Sequence, residues 1–264
     1  MENRQKGTVK SLVIIAYLVM IIVNGLANWL PLNGITTGDV SDSYPNLFTP
    51  TGLTFAIWGI IYLLLAGYVL YQAGWFRGSE NRVKAQMLDK VGGLFIISSL
   101  ANVAWIFSWH YDLIPLSMLL MIVILVSLIY TMKTIMQYHL SLREKIFVKL
   151  PFSVYFGWIT VATIANATVL LVSLNWNGFG IPASTWAVIM IIVGMLIGAT
   201  TAIRNKDAAY GLVFVWAYVG IYIKHTSTGG LGGQYPEVVT TAIICIILML
   251  AASAYSLAVG RKMG

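Results

Sequence analysis

The side chains with chemical potential in this chain are aromatic rings and uncharged amides embedded in apolar sequence. Trp58, Trp105, Trp109, Trp158 and Trp216 fall inside or near the ends of apolar stretches, as do Asn24, Asn28, Asn102 and Asn166. Rings offer flat stacking surface and amides offer directed hydrogen bonds, the chemistry of small-molecule recognition. Acid–base and metal chemistry have no comparable constellation. The acids lie at segment ends or in loops, and His110, His139 and His225 stand on different loops without metal-ligand spacing. There is no Walker motif, Gly-rich phosphate loop or H-E-x-x-H. A proton- or ion-coupled carrier usually places ionisable residues at mid-membrane, and none is placed there here. These observations argue against an ATPase, a zinc protease of that type and a simple proton-driven pump. No catalytic residue, metal or cofactor is assigned. A packing explanation stands beside recognition. Trp29, Trp75, Trp109 and Trp176 suit an interfacial belt, whereas Trp58 and Trp158 lie deeper in their segments. Buried Asn can also be consumed by a neighbouring helix.

The elements that must position these residues are membrane spans. The chain is 59% hydrophobic and 9% charged, with mean hydropathy +0.83, whereas soluble domains carry about a quarter charged residues. Eight apolar stretches are read, at roughly 9–30, 51–75, 91–109, 113–135, 151–173, 184–203, 208–223 and 237–259. Each approaches the ~20 residues that cross a hydrocarbon core as a helix, and in lipid such spans must be helical to close their own hydrogen bonds. The expected class is an all-α integral membrane protein with eight transmembrane helices.

Charge orders the connections. Of the 16 Lys and Arg residues, all but Lys224 fall in alternate segments. Arg4, Lys6 and Lys10 precede the first span. Arg77, Arg82, Lys84 and Lys90 follow the second, and Lys133, Arg143, Lys145 and Lys149 follow the fourth. Arg204 and Lys206 follow the sixth, and Arg261 and Lys262 follow the last. This positive-inside pattern places both termini in the cytoplasm. The net charge of +7 is thereby assigned to topology and lipid headgroups, not nucleic acid. Cys245, the only cysteine, excludes an intrachain disulfide. The first span lacks an A-x-A cleavage site and is read as retained.

Several local features carry expectations. Residues 137–149 are basic and partly apolar, suiting a short interfacial helix. The outer loop 31–50, with Pro31, Gly34, Gly38, Pro45 and Pro50, suggests irregular ordered structure. The Gly-rich segment 225–236 suggests a mobile loop. Gly194-x3-Gly198 reads as close helix packing, and the short span 208–223 as tilted or shielded.

Three separated motifs resemble the TspO/MBR family, the tryptophan-rich sensory or translocator proteins. Residues 47–62, LFTPTGLTFAIWGIIY, keep Pro50, Trp58 and Tyr62 at the spacing of F-x-P-P-x-W-x-F-x-x-x-W-x-x-x-Y. Asn102-x2-Trp105 resembles L-N-x-x-W. Tyr155-x2-Trp158-x3-Ala162-x3-Asn166 resembles P-Y-x-x-W-x-x-x-A-x-x-x-N. The motifs depart from the pattern at Thr49, Gly52, Phe55 and Val154. The family's sterol pattern near the end of its fifth helix does not carry over, because LLVSLNWNG lacks Lys and Arg.

The resemblance covers roughly 9–176 and implies a TspO-like five-helix bundle over 1–176, with 177–264 as a three-helix transmembrane extension. It implies ligand contact at Trp58, Tyr62, Asn102, Trp105, Tyr155, Trp158, Ala162 and Asn166, and a lid that includes Phe48 and Pro50. The function so implied is a membrane receptor or carrier binding a planar, apolar, tetrapyrrole-like molecule in an aromatic pocket between helices. A permease working by alternating access is the alternative, and an enzyme is less favoured. The expected partners are a porphyrin- or sterol-like ligand and membrane lipids, without nucleic acid, and a homodimer is left open. The expected location is a bacterial cytoplasmic membrane.

Overall fold

A computed structural model describes residues 2–30, 32–75 and 82–262, and among these all regular structure is helical. Ten α-helices follow in order: α1 (Glu2–Trp29), α2 (Thr37–Asp42), α3 (Ile57–Ala73), α4 (Arg82–His110), α5 (Ile114–Ile135), α6 (Leu142–Glu144), α7 (Leu150–Ser173), α8 (Ala183–Asn205), α9 (Ala208–Thr226) and α10 (Pro236–Lys262). Short 3-10 turns stand at Leu32–Gly34, Gly52–Ala56 and Gly178–Gly180. Among the described residues, seven segments are long and apolar enough to cross a membrane: Gly7–Trp29, Gly52–Ala73, Lys84–His110, Ile114–Ile135, Leu142–Ser173, Ala183–Asn205 and Pro236–Gly260. The chain is an integral membrane protein. The expected stretch at 208–223 does form a helix, α9, but falls outside that set of seven. Tyr210, Tyr218, Tyr222, Lys224 and His225 lower its apolarity.

The chain divides into two compact units that interleave in sequence. Unit 1 comprises Met1–Thr37 and Trp58–Phe156; unit 2 comprises Gly38–Ile57 and Gly157–Gly264. In unit 1, α4 packs against α1 and α5. An aromatic triangle fills part of this core, with Tyr68 lying 5.5 Å from Phe95 and 4.7 Å from Phe152 between ring centroids, both edge-on. Residues 142–173 run as one helical segment through a π-helical turn, Lys145–Lys149. That turn precedes Pro151, whose missing N–H cannot complete an ordinary turn. Residues 142–149 are therefore continuous with α7 and do not form a separate helix. Its start is fixed by a capping box, in which Ser141 N donates to Glu144 Oε2 at 2.7 Å and Glu144 N donates to Ser141 Oγ at 3.4 Å. The buried Glu144 is also paired with Lys84 Nζ at 2.9 Å.

Unit 2 packs α9 against α8, α10 and the turn Gly52–Ala56. Missing Cβ atoms permit this. A Cβ on Gly194 would meet the Tyr218 hydroxyl at 2.6 Å, and one on Gly198 would meet the Phe214 ring at 2.9 Å. The Gly194-x3-Gly198 pair is thus a packing surface for α9. The glycines at 229–233 form a bonded turn where a mobile loop was expected, with Leu231 N donating to Lys224 O at 2.8 Å and Gly233 N to His225 O at 2.7 Å. Several helices end in a Schellman motif. Asp207 N reaches Ala202 O at 2.8 Å past Lys206 (φ 50), and Trp176 N reaches Leu171 O at 3.0 Å past Asn175 (φ 52).

Gly198→Val therefore overpacks the Phe214 contact and should destabilise the protein by about 1–3 kcal/mol. Gly93→Ala, where an added Cβ meets nothing within 4 Å, should be neutral or stabilising by up to ~1 kcal/mol. Thermal melts of the purified variants in one detergent check the contrast.

Candidate functional site

The motif residues in unit 1 meet around Trp58. Its ring stacks on Tyr62 at 5.5 Å and 21°, and meets Tyr155 edge-on at 5.9 Å. A four-residue spacing on α3 places Trp58 and Tyr62 on one face. The amide of Asn102 is fixed across the α1–α4 contact, where Asn24 Nδ2 donates to Asn102 Oδ1 at 2.7 Å. Asn24 Nδ2 also donates to Met20 O at 2.8 Å, and Asn28 Nδ2 donates to Asn24 O at 2.9 Å. Half of the Asn102 amide is thus used in packing. Its Nδ2, together with the Tyr62 and Tyr155 hydroxyls, is buried without a hydrogen bond of good geometry. The Tyr155 hydroxyl lies near both the Asn102 amide and Tyr62. The cluster accordingly combines an aromatic wall with three buried polar atoms, of which the Asn102 amide and Tyr155 hydroxyl face each other without a well-formed bond.

Trp105 is placed differently, stacked on Trp109 at 5.5 Å and 22°. Trp109 Nε1 donates to Thr37 O at 3.1 Å. His110 ties down the first half of the outer loop. Its Nδ1 donates to Leu32 O at 3.0 Å, and its Nε2 lies 3.2 Å from Thr37 Oγ1. Asn33 Nδ2 returns a bond to His110 O at 3.0 Å.

The remaining motif residues belong to unit 2. Trp158 is buried and meets Phe55 edge-on at 5.9 Å. Asn166 is buried and Ala162 is half-buried. Phe48 and Pro50 are buried in a segment bonded to α9. Lys224 Nζ reaches Asp42 Oδ1 at 3.1 Å, His225 Nε2 donates to Leu47 O at 2.9 Å, Thr51 N donates to Gly220 O at 3.4 Å, and Trp216 Nε1 donates to Thr54 O at 2.9 Å. Gly220 is needed at this approach, because its Cβ would meet Pro50 Cβ at 2.9 Å. Sequence reasoning missed this clamp. Its members on α9, Trp216, Lys224 and His225, lie far along the chain from Asp42, Leu47 and Thr54, which they hold.

Unit 2 also holds a cavity of about 390 Å³, which the sequence reading did not anticipate. Loop 45–48, the C-terminal end of α7, the turn 176–181 and the start of α8 line it, and it is partly open to the surroundings. Trp176 and Trp186, 5.1 Å apart, are two of its lining residues. Only the interfacial character of Trp176 was legible.

His225 lies outside the seven segments above. Because Nε2 donates to Leu47 O, Nδ1 is the basic atom, and it is buried without a partner. Burial chiefly holds its pKa below the ordinary value; Lys224 adds to that effect, while the bond to Leu47 and the charge of Glu237 oppose it. The neutral imidazole thus supports the fold above the unfolded pKa of about 6.5, and this contribution is lost as pH falls from there through the folded pKa. Wild-type protein should lose more melting temperature between pH 7.5 and 5.5 than His225→Gln. Equal losses would remove His225 from the acid response.

Comparison with known proteins adds one match. No curated protein and no solved structure is detectably similar to this chain. A family profile described as TSPO-like protein matches residues 10–255. The match runs beyond the first five helices and through α9 into α10. With the Trp58, Asn102 and Tyr155 motifs placed on helices of a membrane protein, the chain belongs to the TSPO-like protein family.

Proposed function

We propose that this protein is a membrane receptor or carrier that binds a planar, largely apolar small molecule of tetrapyrrole type. The observation that carries the reading is the Trp58–Tyr62–Tyr155 cluster with its buried polar atoms that lack a well-formed hydrogen bond. A buried polar group without a partner costs about 1–3 kcal/mol. A ligand that stacked on the rings and bonded to the hydroxyls and the Asn102 amide would remove that cost. The resemblance also assigns ligand contact to Trp105, Trp158, Ala162 and Asn166 and lid roles to Phe48 and Pro50, which form part of the same proposal. Five helices plus a three-helix extension, divided at 176, is the accompanying organisation.

An eighth crossing at 208–223, with both termini cytoplasmic, completes the proposal. Lys and Arg alternate across nine segments only when that crossing is included. Burial of α9 within unit 2 supports it, because a span shielded by protein tolerates the tyrosines that lower its apolarity. A bacterial cytoplasmic membrane is the proposed location.

Removing an unmet hydroxyl should separate binding from stability. Tyr155→Phe and Tyr62→Phe should each preserve or raise the melting temperature while weakening protoporphyrin IX binding about tenfold, equivalent to ~1.4 kcal/mol. Tryptophan-fluorescence titration in detergent reads the affinity. Unchanged affinity in both folded variants would sink the cluster as the binding surface. Solute flux in proteoliposomes would move the permease reading ahead of the receptor.

Topology is checked in a Cys245→Ser background. Ser227→Cys should react with a membrane-impermeant maleimide from outside intact cells, and Lys206→Cys should not. Labelling of both from the same side would remove the eighth crossing.

A further inference from the structure

The cavity in unit 2 has a chemistry opposite to that of the Trp58 cluster. We propose that it is a second, independent ligand site, shaped for an uncharged aromatic molecule of two or three rings. Leu47, Ala167, Leu171, Trp176, Trp186 and Met190 are among its walls, and no Asp, Glu, Lys or Arg lines it. Its principal polar groups are already engaged. Asn46 Oδ1 accepts from Phe48 N at 3.0 Å and Thr49 N at 2.8 Å, and Asn46 Nδ2 donates to Tyr44 O at 2.9 Å. Thr168 Oγ1 donates to Ile164 O at 3.0 Å, and Trp186 Nε1 donates to Gly178 O at 2.9 Å. Asn177 Oδ1 accepts from Phe179 N at 3.0 Å. These walls hold little to fix an ion or a strongly hydrogen-bonding group.

Size and shape narrow the occupant. An apolar cavity of about 150 Å³ takes one benzene ring, so about 390 Å³ accommodates two or three. The aromatic walls are held in place. The Schellman turn at Asn175 returns Trp176 over the end of α7, where Leu171 also lines the cavity. Phe179 meets Trp176 edge-on at 5.3 Å. Trp186 lies against Gly178, where an added Cβ would sit 3.0 Å from Nε1. Three successive residues, Gly178 (φ 63), Phe179 (φ 56) and Gly180 (φ 76), are left-handed. For Phe179 this is unfavourable by about 1–3 kcal/mol. The fourth wall, loop 45–48, is held from α9 through the His225–Leu47 bond. A preorganised aromatic cavity gains contacts from an inserted ring without first having to order its walls.

The test uses 1-aminoanthracene, a neutral three-ring fluorophore, with the full chain in nanodiscs. Saturable binding is expected. Ala167→Phe, which fills the cavity, and Trp176→Leu, which removes one ring wall, should each weaken it at least tenfold. Tyr155→Phe, which tests the separate tetrapyrrole reading, should leave it unchanged. A naphthyl diazirine offers a readout on the unaltered protein, with covalent label expected in the peptide 167–190. Retained affinity in either folded cavity variant overturns the site, as does label confined to other peptides. Quenching of the Trp176 contribution by brominated acyl chains, with displacement of the fluorophore, would also overturn it by identifying a lipid chain as the occupant.

Discussion

Unit 2 depends on backbone approach at glycines around α9. A Cβ on Gly157 would meet Tyr210 O at 2.9 Å, one on Gly198 would meet the Phe214 ring, and one on Gly220 would meet Pro50. Gly211 in turn faces Ser253. In lipid, helices gain little from hydrophobic association, so close van der Waals packing between small residues supplies much of the cohesion. The same closeness shields α9 and explains its composition. Tyr210 donates to Thr160 Oγ1 at 3.2 Å, and Tyr218 donates to Ile191 O at 2.7 Å. Such hydroxyls would be costly facing lipid but are satisfied inside the unit. Once α9 is fixed, its C-terminal end can hold the second half of the 31–50 loop through Lys224, His225 and Gly220.

Unit 1 is organised by polar contacts. The Asn24–Asn102 bond joins α1 to α4, and the His110–Leu32 and Trp109–Thr37 bonds fix the chain that leaves α1. These contacts account for only part of the polar inventory. Asn102 Nδ2, Tyr62 Oη and Tyr155 Oη lie beside the aromatic cluster without partners. A packing role would favour phenylalanine at 62 and 155, since the hydroxyl adds desolvation cost without a bond. Local violations of polar satisfaction are expected where stability has been exchanged for function.

Membrane class and helix positions were legible because hydropathy and loop charge are one-dimensional signals. The three motifs were also legible, and Trp58, Tyr62, Asn102 and Tyr155 do come together. Other features depend on information that spacing does not carry. The clamp on loop 42–54 joins residues more than 160 positions apart in the chain. The segment 137–149 read as interfacial because its charges were visible and the Ser141–Glu144 cap with Lys84 was not. The glycines of 229–233 read as mobility, although at Gly230 they permit an approach to Lys224 O that a side chain would block. The cavity was invisible because it is an absence, left where a turn, a loop and two helix ends fail to fill space.

The two aromatic sites differ in the quantity that governs selectivity. Around Trp58, buried donors and acceptors await partners, so an all-carbon ligand would leave their desolvation cost in place. In the unit 2 cavity Asn46, Thr168, Asn177 and Trp186 bond to the protein itself, so a ligand that brought a strong donor or acceptor would lose its hydration for little return. Each environment disfavours the other's ligand without a steric gate. Shape reinforces the distinction, since about 390 Å³ suits a few rings more readily than a substituted macrocycle. On the two readings proposed above, one class of flat molecule would be selected by buried polar atoms and the other by their near absence.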